Sequence, residues 1–191
     1  MKATKQILRS STNVLLKKSA ALSSDQQGAS AIEFAIFAGI LCFGLLNTAD
    51  IYIYIYKRMQ VENATEMSVQ AAWKACDPDK GQLPATTSCP GLTAAITAAV
   101  QSTTLGNQVS FQTGSPSEGY YCLNSSGALQ YVGAVSSPPP TDCSVTGLPT
   151  QSPSDYIQIT TTYSYAPLFP GVTVASAFTT PIVRTGKMRL N

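Results

Sequence analysis

The run Phe34-Ala35-Ile36-Phe37-Ala38-Gly39-Ile40-Leu41-Cys42-Phe43-Gly44-Leu45-Leu46 is almost wholly apolar, and an acid, Glu33, opens it. With Ala29-Ser30-Ala31-Ile32 in front, the stretch approaches the roughly 20 residues that a membrane-spanning helix needs. A chain with such a segment must place it in lipid or against other apolar helices. Glu33 makes the constraint sharper, because a carboxylate at the mouth of a membrane helix is unfavourable by about 2.5 kcal/mol or more. Something has to compensate it. A new α-amino group at Ala29, released by a cut after Gly28, stands four residues away and is one such group.

The 191 residues have room for one modest domain beside this anchor. Charged residues make up 12%, and Ser, Thr, Gly and Pro are abundant, which suits an extracytoplasmic β-rich domain. The net charge of +2 is unevenly placed. Lys2, Lys5, Arg9, Lys17 and Lys18 precede Gly28 against one acid, Asp25, and the remainder is slightly acidic. The basic balance therefore reports a cytoplasmic flank, and no nucleic-acid partner is expected. An h-region of a secretory signal is the rival for the apolar run. It lies far from the N-terminus, and Asn47 stands where signal peptidase needs a small residue, so the run is expected to be retained.

The chain contains no histidine. That removes the commonest general base and metal ligand, and with them the Ser-His and Cys-His pairs. A Ser-Lys dyad survives the test on Lys74, Lys80 or Lys187, but nothing around those lysines supports one. The expectation is no enzyme, no cofactor and no metal.

After Asn47 and Asp50 come Ile51-Tyr52-Ile53-Tyr54-Ile55-Tyr56 and Lys57-Arg58. The strict alternation fits a strand. Its neighbours, the anchor on one side and the helix-forming stretch Met59 to Ala75 on the other, favour one continuous helix from about Ser30 to Ala75. Such a helix is about 70 Å long, and its three tyrosines would form a belt at the outer membrane interface. Asp77-Pro78-Asp79-Lys80-Gly81 ends it. Leu92, Ala95, Ile96, Ala99 and Val100 share one face of a second helix. Strands are predicted around Val109 and Phe111, over Tyr120 to Leu123, over Ala128 to Val132 and over Asp155 to Tyr165, with a last strand or helix edge in Phe178 to Leu190. Residues 114–119 read as a loop, and 133–154 as a long Pro/Ser-rich surface loop. The fold class is α+β, with a small antiparallel sheet. The expected divisions are a leader over 1–28, an anchor helix over 29–50, its periplasmic extension over 51–75 and a globular domain over 76–191.

Cys42 lies in the apolar run and reads as a small hydrophobe. Cys76, Cys89, Cys122 and Cys143 form an even set after the anchor, which in an extracytoplasmic domain reads as two disulfides. Three pairings are open. The simplest is Cys76–Cys89 with Cys122–Cys143, each closing one irregular segment. A Cys₄ zinc site is the rival, but no C-x-x-C spacing is present.

A basic leader, Gly28, then Ala29-Ser30-Ala31-Ile32-Glu33-Phe34 and an apolar helix together resemble the prepilin sites of the type IV pilin superfamily. The pattern is most similar to the Tad/Flp branch, where glycine is followed by four small or apolar residues, then Glu and an aromatic. The classical branch has Phe after the glycine, where this chain has Ala29, and Asp25-Gln26-Gln27 replaces the basic residues common before it. A major Flp pilin is little more than its helix, so the domain behind this one is more similar to TadE-like minor pilins. The strand Tyr156 to Tyr165, the Pro-containing loop after it and the tail Arg184…Lys187…Arg189 look TadE-like too. The resemblance implies cutting between Gly28 and Ala29 by a membrane aspartyl prepilin peptidase, and a pilin-like fold. It implies pairing of Glu33 with the new amine on its own or a neighbouring chain, with Phe34 beside it. It also implies as partners other minor pilins, the major pilin and the inner-membrane assembly platform, in a pilus serving adhesion and biofilm. The location it implies is a single-pass inner-membrane protein with a cytoplasmic N-terminus and a periplasmic domain. The alternatives are a signal-anchored periplasmic binding module that never enters a filament, and a plain bitopic protein whose Glu33 snorkels at the interface.

Overall fold

The computed structural model describes residues 26–76 and 78–190; the leader up to Asp25, and Asp77, lie outside them. The long helix α1 covers Gln26–Ala75. No proline interrupts it, and Ala, Ile, Leu, Met, Gln and Glu dominate its sequence. By length and composition it can cross a membrane once. The chain divides into two units, up to Thr48 and from Ala49 to Asn191. In the first unit nearly every side chain from Gly28 to Leu45 is exposed. Asn47 and Thr48 donate to the carbonyls of Phe43 and Gly44, four residues back, so their polar groups are satisfied along the helix itself.

In the second unit the helix carries a buried stripe. Asp50, Val61, Ala64, Thr65, Ser68, Val69 and Ala72 are buried, at the 3- and 4-residue steps of a helix. The alternating Ile/Tyr run obeys the same period. Ile53 and Tyr54 turn towards the core, while Tyr52, Ile55 and Tyr56 are exposed. Residues 51–75 form one wall of the second unit, which begins at Ala49.

A short helix α2 (Ala85–Ser88) and a longer α3 (Leu92–Gln101) follow. Leu92, Ile96 and Val100 of α3 are buried, on the face its periodicity predicts. Five strands form one antiparallel sheet: β1 (Val109–Phe111), β2 (Ser117–Leu123), β3 (Leu129–Ala134), β4 (Ser154–Tyr163) and β5 (Ile182–Arg189). β4 is its centre. One side pairs along its length with β5; the other pairs with β2 near its start and β1 near its end, and β3 flanks β2. Ile157 and Ile159 of β4 meet Val69 and Ala72 of α1 and Ile96 of α3 in one core cluster; Val61, Ala64, Val100, Val109 and Ile182 form a second. Between them Thr65 and Thr161 share a buried hydroxyl–hydroxyl bond of 2.6 Å.

The bounds of three strands differ from the sequence reading. β2 begins at Ser117, so Glu118 and Gly119 are strand residues rather than loop. β3 runs on through Gly133 and Ala134, which the sequence assigns to the Pro-rich loop. β4 ends at Tyr163, although Tyr165 beyond it remains buried. Each shift extends or trims pairing with a neighbour, which local sequence does not encode. The tail resolves as a strand, β5.

Candidate functional site

Gly28 and Ala29 sit in helical backbone near the start of the described residues, and both are exposed. A protease needs the scissile backbone extended, so this part of α1 must unwind to be cut. Glycine in a helix is less favourable than alanine by about 1 kcal/mol, which makes Gly28 a weak point. Glu33 lies one turn from Ala29 on the same side of the helix and is exposed, as is Phe34. An amine on Ala29 is therefore within reach of the Glu33 carboxylate along one helix, and the same carboxylate is open to a neighbouring helix. Ala31, Ala35, Gly39 and Gly44 of the same helix are exposed, and a Cβ built on Gly39 or Gly44 meets nothing within 4 Å. Small exposed residues of this kind allow close helix approach. Cys42 is a free, exposed thiol in the same segment.

The other four cysteines form two disulfides, Cys76–Cys89 and Cys122–Cys143. The first ties the end of α1 to the turn before α3. The second ties β2 to the irregular segment after β3.

Two carboxylates that the sequence reading passed over organise the globular unit. Asp50 is buried, and its oxygens accept the N–H of Leu168 at 2.9 Å, the N–H of Phe169 at 3.3 Å and the hydroxyl of Thr173. The Tyr165 hydroxyl donates to the Asp50 carbonyl at 3.2 Å. Tyr54, one turn along the helix, packs its ring on Tyr165 and Phe178. The segment 165–178 is thus gathered onto residues 50–54 of α1.

Glu118 of β2 accepts from the N–H of Ala85 and of Thr86, each at 2.7 Å, and from the Thr86 hydroxyl at 2.7 Å. It closes the start of α2. Buried Asp155 of β4 stands beside it. Burial, then the Glu118 charge and a hydrogen bond with Glu118, push the Asp155 carboxyl up to about 7. Both Glu118 oxygens are committed to backbone donors, so the pair reads as a fastening.

The face of the sheet away from α1 carries a tyrosine cluster. Tyr121 meets Tyr131 and Tyr156 edge-on, its hydroxyl donates to Gln158 at 3.3 Å, and Lys187 lies over its ring at 4.5 Å. Burial and then Tyr131 push its phenol above the ordinary value, so it stays a neutral donor. An open cleft of about 570 Å³ adjoins it, lined by Leu129, Gln151, Tyr156 and Arg189. Among the described residues no three His, Cys, Asp or Glu side chains group as a metal site.

No protein-family model, no curated protein and no solved structure matches the chain.

Gly28, Ala29, Glu33 and Phe34 lie within seven residues of one helix, so a local pattern can single them out. Asp50, Glu118 and Asp155 are not found that way. Their partners lie far along the chain, and no local pattern announces such pairing.

Proposed function

We propose that the chain is a TadE-like minor pilin of a Tad/Flp pilus system, a structural protein matured by a prepilin peptidase and assembled through its N-terminal helix. The observation that carries the reading is the segment Gly28 to Phe34 at the start of a helix whose apolar surface is exposed on every side. An exposed apolar helix is stable only in lipid or in a bundle. The cut after Gly28 removes the basic flank that holds this end in the cytoplasm. It also leaves an amine on Ala29. At low local dielectric an unpaired carboxylate is strongly unfavourable. Pairing of that amine with Glu33, within a chain or between chains, then sets the register at which helices pack. A disulfide-bonded globular unit behind the helix suits an oxidising, extracytoplasmic location. The partners that follow are the peptidase, other minor pilins, the major pilin and the inner-membrane platform.

The mature mass tests the reading. In cells that contain the peptidase, protein extracted from membranes is expected to begin at Ala29. A chain that still begins at Met1 overturns it in favour of an anchored periplasmic module. A Glu33→Ala variant is expected to be cut yet fail to enter filaments. Normal entry would sink the register role of Glu33 while leaving the processing intact.

A further inference from the structure

The strands at the margins of the sheet differ in how far they are protected. β1 has three residues. β3 meets β2 across a register shift between Tyr120 and Tyr121. β5 has eight residues, all in unbroken register with β4, and it pairs with β4 alone. Short or irregular margins discourage the addition of further strands. Among the described residues, β5 is the margin that is both long and regular.

Its register decides which groups it turns outward. The Leu190 N–H donates to the Asp155 carbonyl at 2.9 Å, in the same frame as the pairs Ile157–Met188 and Ile159–Gly186. In an antiparallel ladder, alternate pairs exchange both hydrogen bonds. Ile182, Arg184, Gly186 and Met188 therefore bond to β4, and the N–H and C=O groups of Val183, Thr185, Lys187 and Arg189 point away from it. The Val183 carbonyl accepts Arg184 Nη1 at 3.2 Å on this outer side.

Two hollows lie along the edge, both between β5 and α1. One, of about 290 Å³, is lined by Tyr54 and Arg58 of α1 and by Val183 and Arg184 of β5. The other, of about 430 Å³, is lined by Gln70, Trp73 and Lys74 of α1 and by Met188 and Arg189 of β5. Trp73, the one tryptophan of the chain, is 52% exposed there. Between the hollows α1 closes on β5, where Thr65 and Val69 lie against Gly186 and Arg184 pairs with Glu62 at 3.6 Å. Residues 184 and 188 are about 13 Å apart along a strand, the span of two side chains four positions apart on a neighbouring strand.

The charge on this margin has one dominant sign. β5 carries Arg184, Lys187 and Arg189 and no carboxylate. The flank of α1 beside it adds Arg58 and Lys74 against Glu62 and Glu66. Cations on an edge keep two copies of that edge apart, because like charges opposite one another are unfavourable. They favour a strand that brings carboxylates.

We propose that β5 is a docking edge for an extended, carboxylate-bearing segment of another protein, which adds antiparallel as a sixth strand. Its main chain bonds to the outward groups of Thr185 and Lys187, as in other cases of strand addition. Its apolar side chains enter the two hollows beside α1. Its acidic side chains fall on the opposite face of the sheet, where Lys187 lies over Tyr121. The inference concerns the second unit alone and is independent of a cut after Gly28.

The test uses the full chain in neutral detergent micelles at fixed ionic strength. The probes are end-capped peptides of alternating valine and glutamate, matched to the eight residues of β5, and the same peptides with lysine for glutamate. The valine–glutamate peptide is expected to shift Trp73 emission to shorter wavelength as a valine covers the indole, and the lysine peptide is expected to leave it unchanged. The glutamates stand opposite the outward residues of β5, so their N–H groups are the ones that bond. N-methylation of the glutamates is expected to weaken binding by about tenfold or more, and N-methylation of the valines to leave it within about twofold. Thr185→Pro removes one outward N–H and keeps the bonds to β4, so it is expected to weaken the peptide with little change in the thermal midpoint. The methylated peptides test the parent chain and do not depend on that variant folding. No response to the valine–glutamate peptide overturns the proposal. Equal binding of the two methylated peptides, or loss with the valines instead, overturns the added strand. Equal binding of the lysine peptide overturns the acidic partner. A chain that sediments as a dimer, and as a monomer with Thr185→Pro, gives the edge to a second copy and also overturns the proposal.

Discussion

At the scale of single residues, carboxylates do most of the organising, each through its own set of donors. Asp50 collects two backbone N–H groups and a hydroxyl from one loop. Asp50→Ala leaves those donors buried without an acceptor, at about 1–3 kcal/mol for each unsatisfied group. The near-UV dichroism of the tyrosines around residue 165 is expected to melt at lower temperature in that variant, and unchanged melting would remove Asp50 from the fold's supports. Asp155 makes the fold's stability depend on pH. Its carboxyl ionises near 3.8 in the unfolded chain and near 7 when folded. The folded state holds the extra proton between those values. The stabilisation is therefore complete below about pH 4 and is lost as pH rises through 7, at up to about 1.4 kcal/mol per pH unit. Asp155→Asn keeps a donor facing Glu118 and cannot ionise. Melts at pH 5 and pH 8 are expected to show a downward step in the parent that is absent from the variant.

At the scale of elements, fit between α1 and the sheet is decided at Gly186. A Cβ there lies 3.2 Å from Thr65 Cγ2 and 3.2 Å from Val69 Cγ1. Both side chains are β-branched and on a helix, so each is held to few rotamers and yields little. Gly186→Val forces α1 and β5 apart and is expected to lower stability by about 1–3 kcal/mol, read from the shift of the thermal midpoint. The disulfides work on the irregular segments instead. Cys122–Cys143 closes 21 residues and Cys76–Cys89 closes 13. Each is expected to contribute about 3 kcal/mol by limiting the unfolded chain. Replacing Cys122 and Cys143 together by Ser is expected to lower the unfolding midpoint while leaving the far-UV spectrum near that of the parent, because the sheet and α1 retain their own cores.

At the scale of the whole molecule, two units answer to different solvents. Residues 28–48 present mostly apolar surface on every side and satisfy their backbone within the helix, as lipid or a helix bundle requires. Residues 49–191 enclose two apolar clusters between α1, α3 and one face of the sheet. In the proposed role the first unit assembles and the second is displayed. Blocking the cut is the prediction that belongs here. Under the proposed processing, Gly28→Val puts a branched side chain where the peptidase would otherwise meet bare backbone. It is expected to leave the full-length chain in the membrane fraction with both disulfides formed, since no residue of the globular unit is touched. Loss of the disulfides in that variant would mean that processing and folding of the second unit are not separable.

What local sequence determined is whatever depends on neighbours along the chain. The apolar run, its opening acid, the length of α1, the face of α3 and the end of the helix at Ala75 were all legible, because period and composition act over a few residues. The Ile/Tyr alternation over 51–56 was ambiguous by itself, and packing resolved it. A continuous helix buries Asp50, Val61, Thr65 and Val69 on one face, whereas a strand there would interrupt that stripe. Tertiary structure alone decided which strand Glu118 belongs to, that Asp155 stands beside it, and that Asp50 holds a loop more than a hundred residues away. The physical reason is desolvation. A carboxylate in water needs no particular partner and leaves no mark on the residues around it. The same carboxylate inside a fold must find donors wherever the chain's topology brings them.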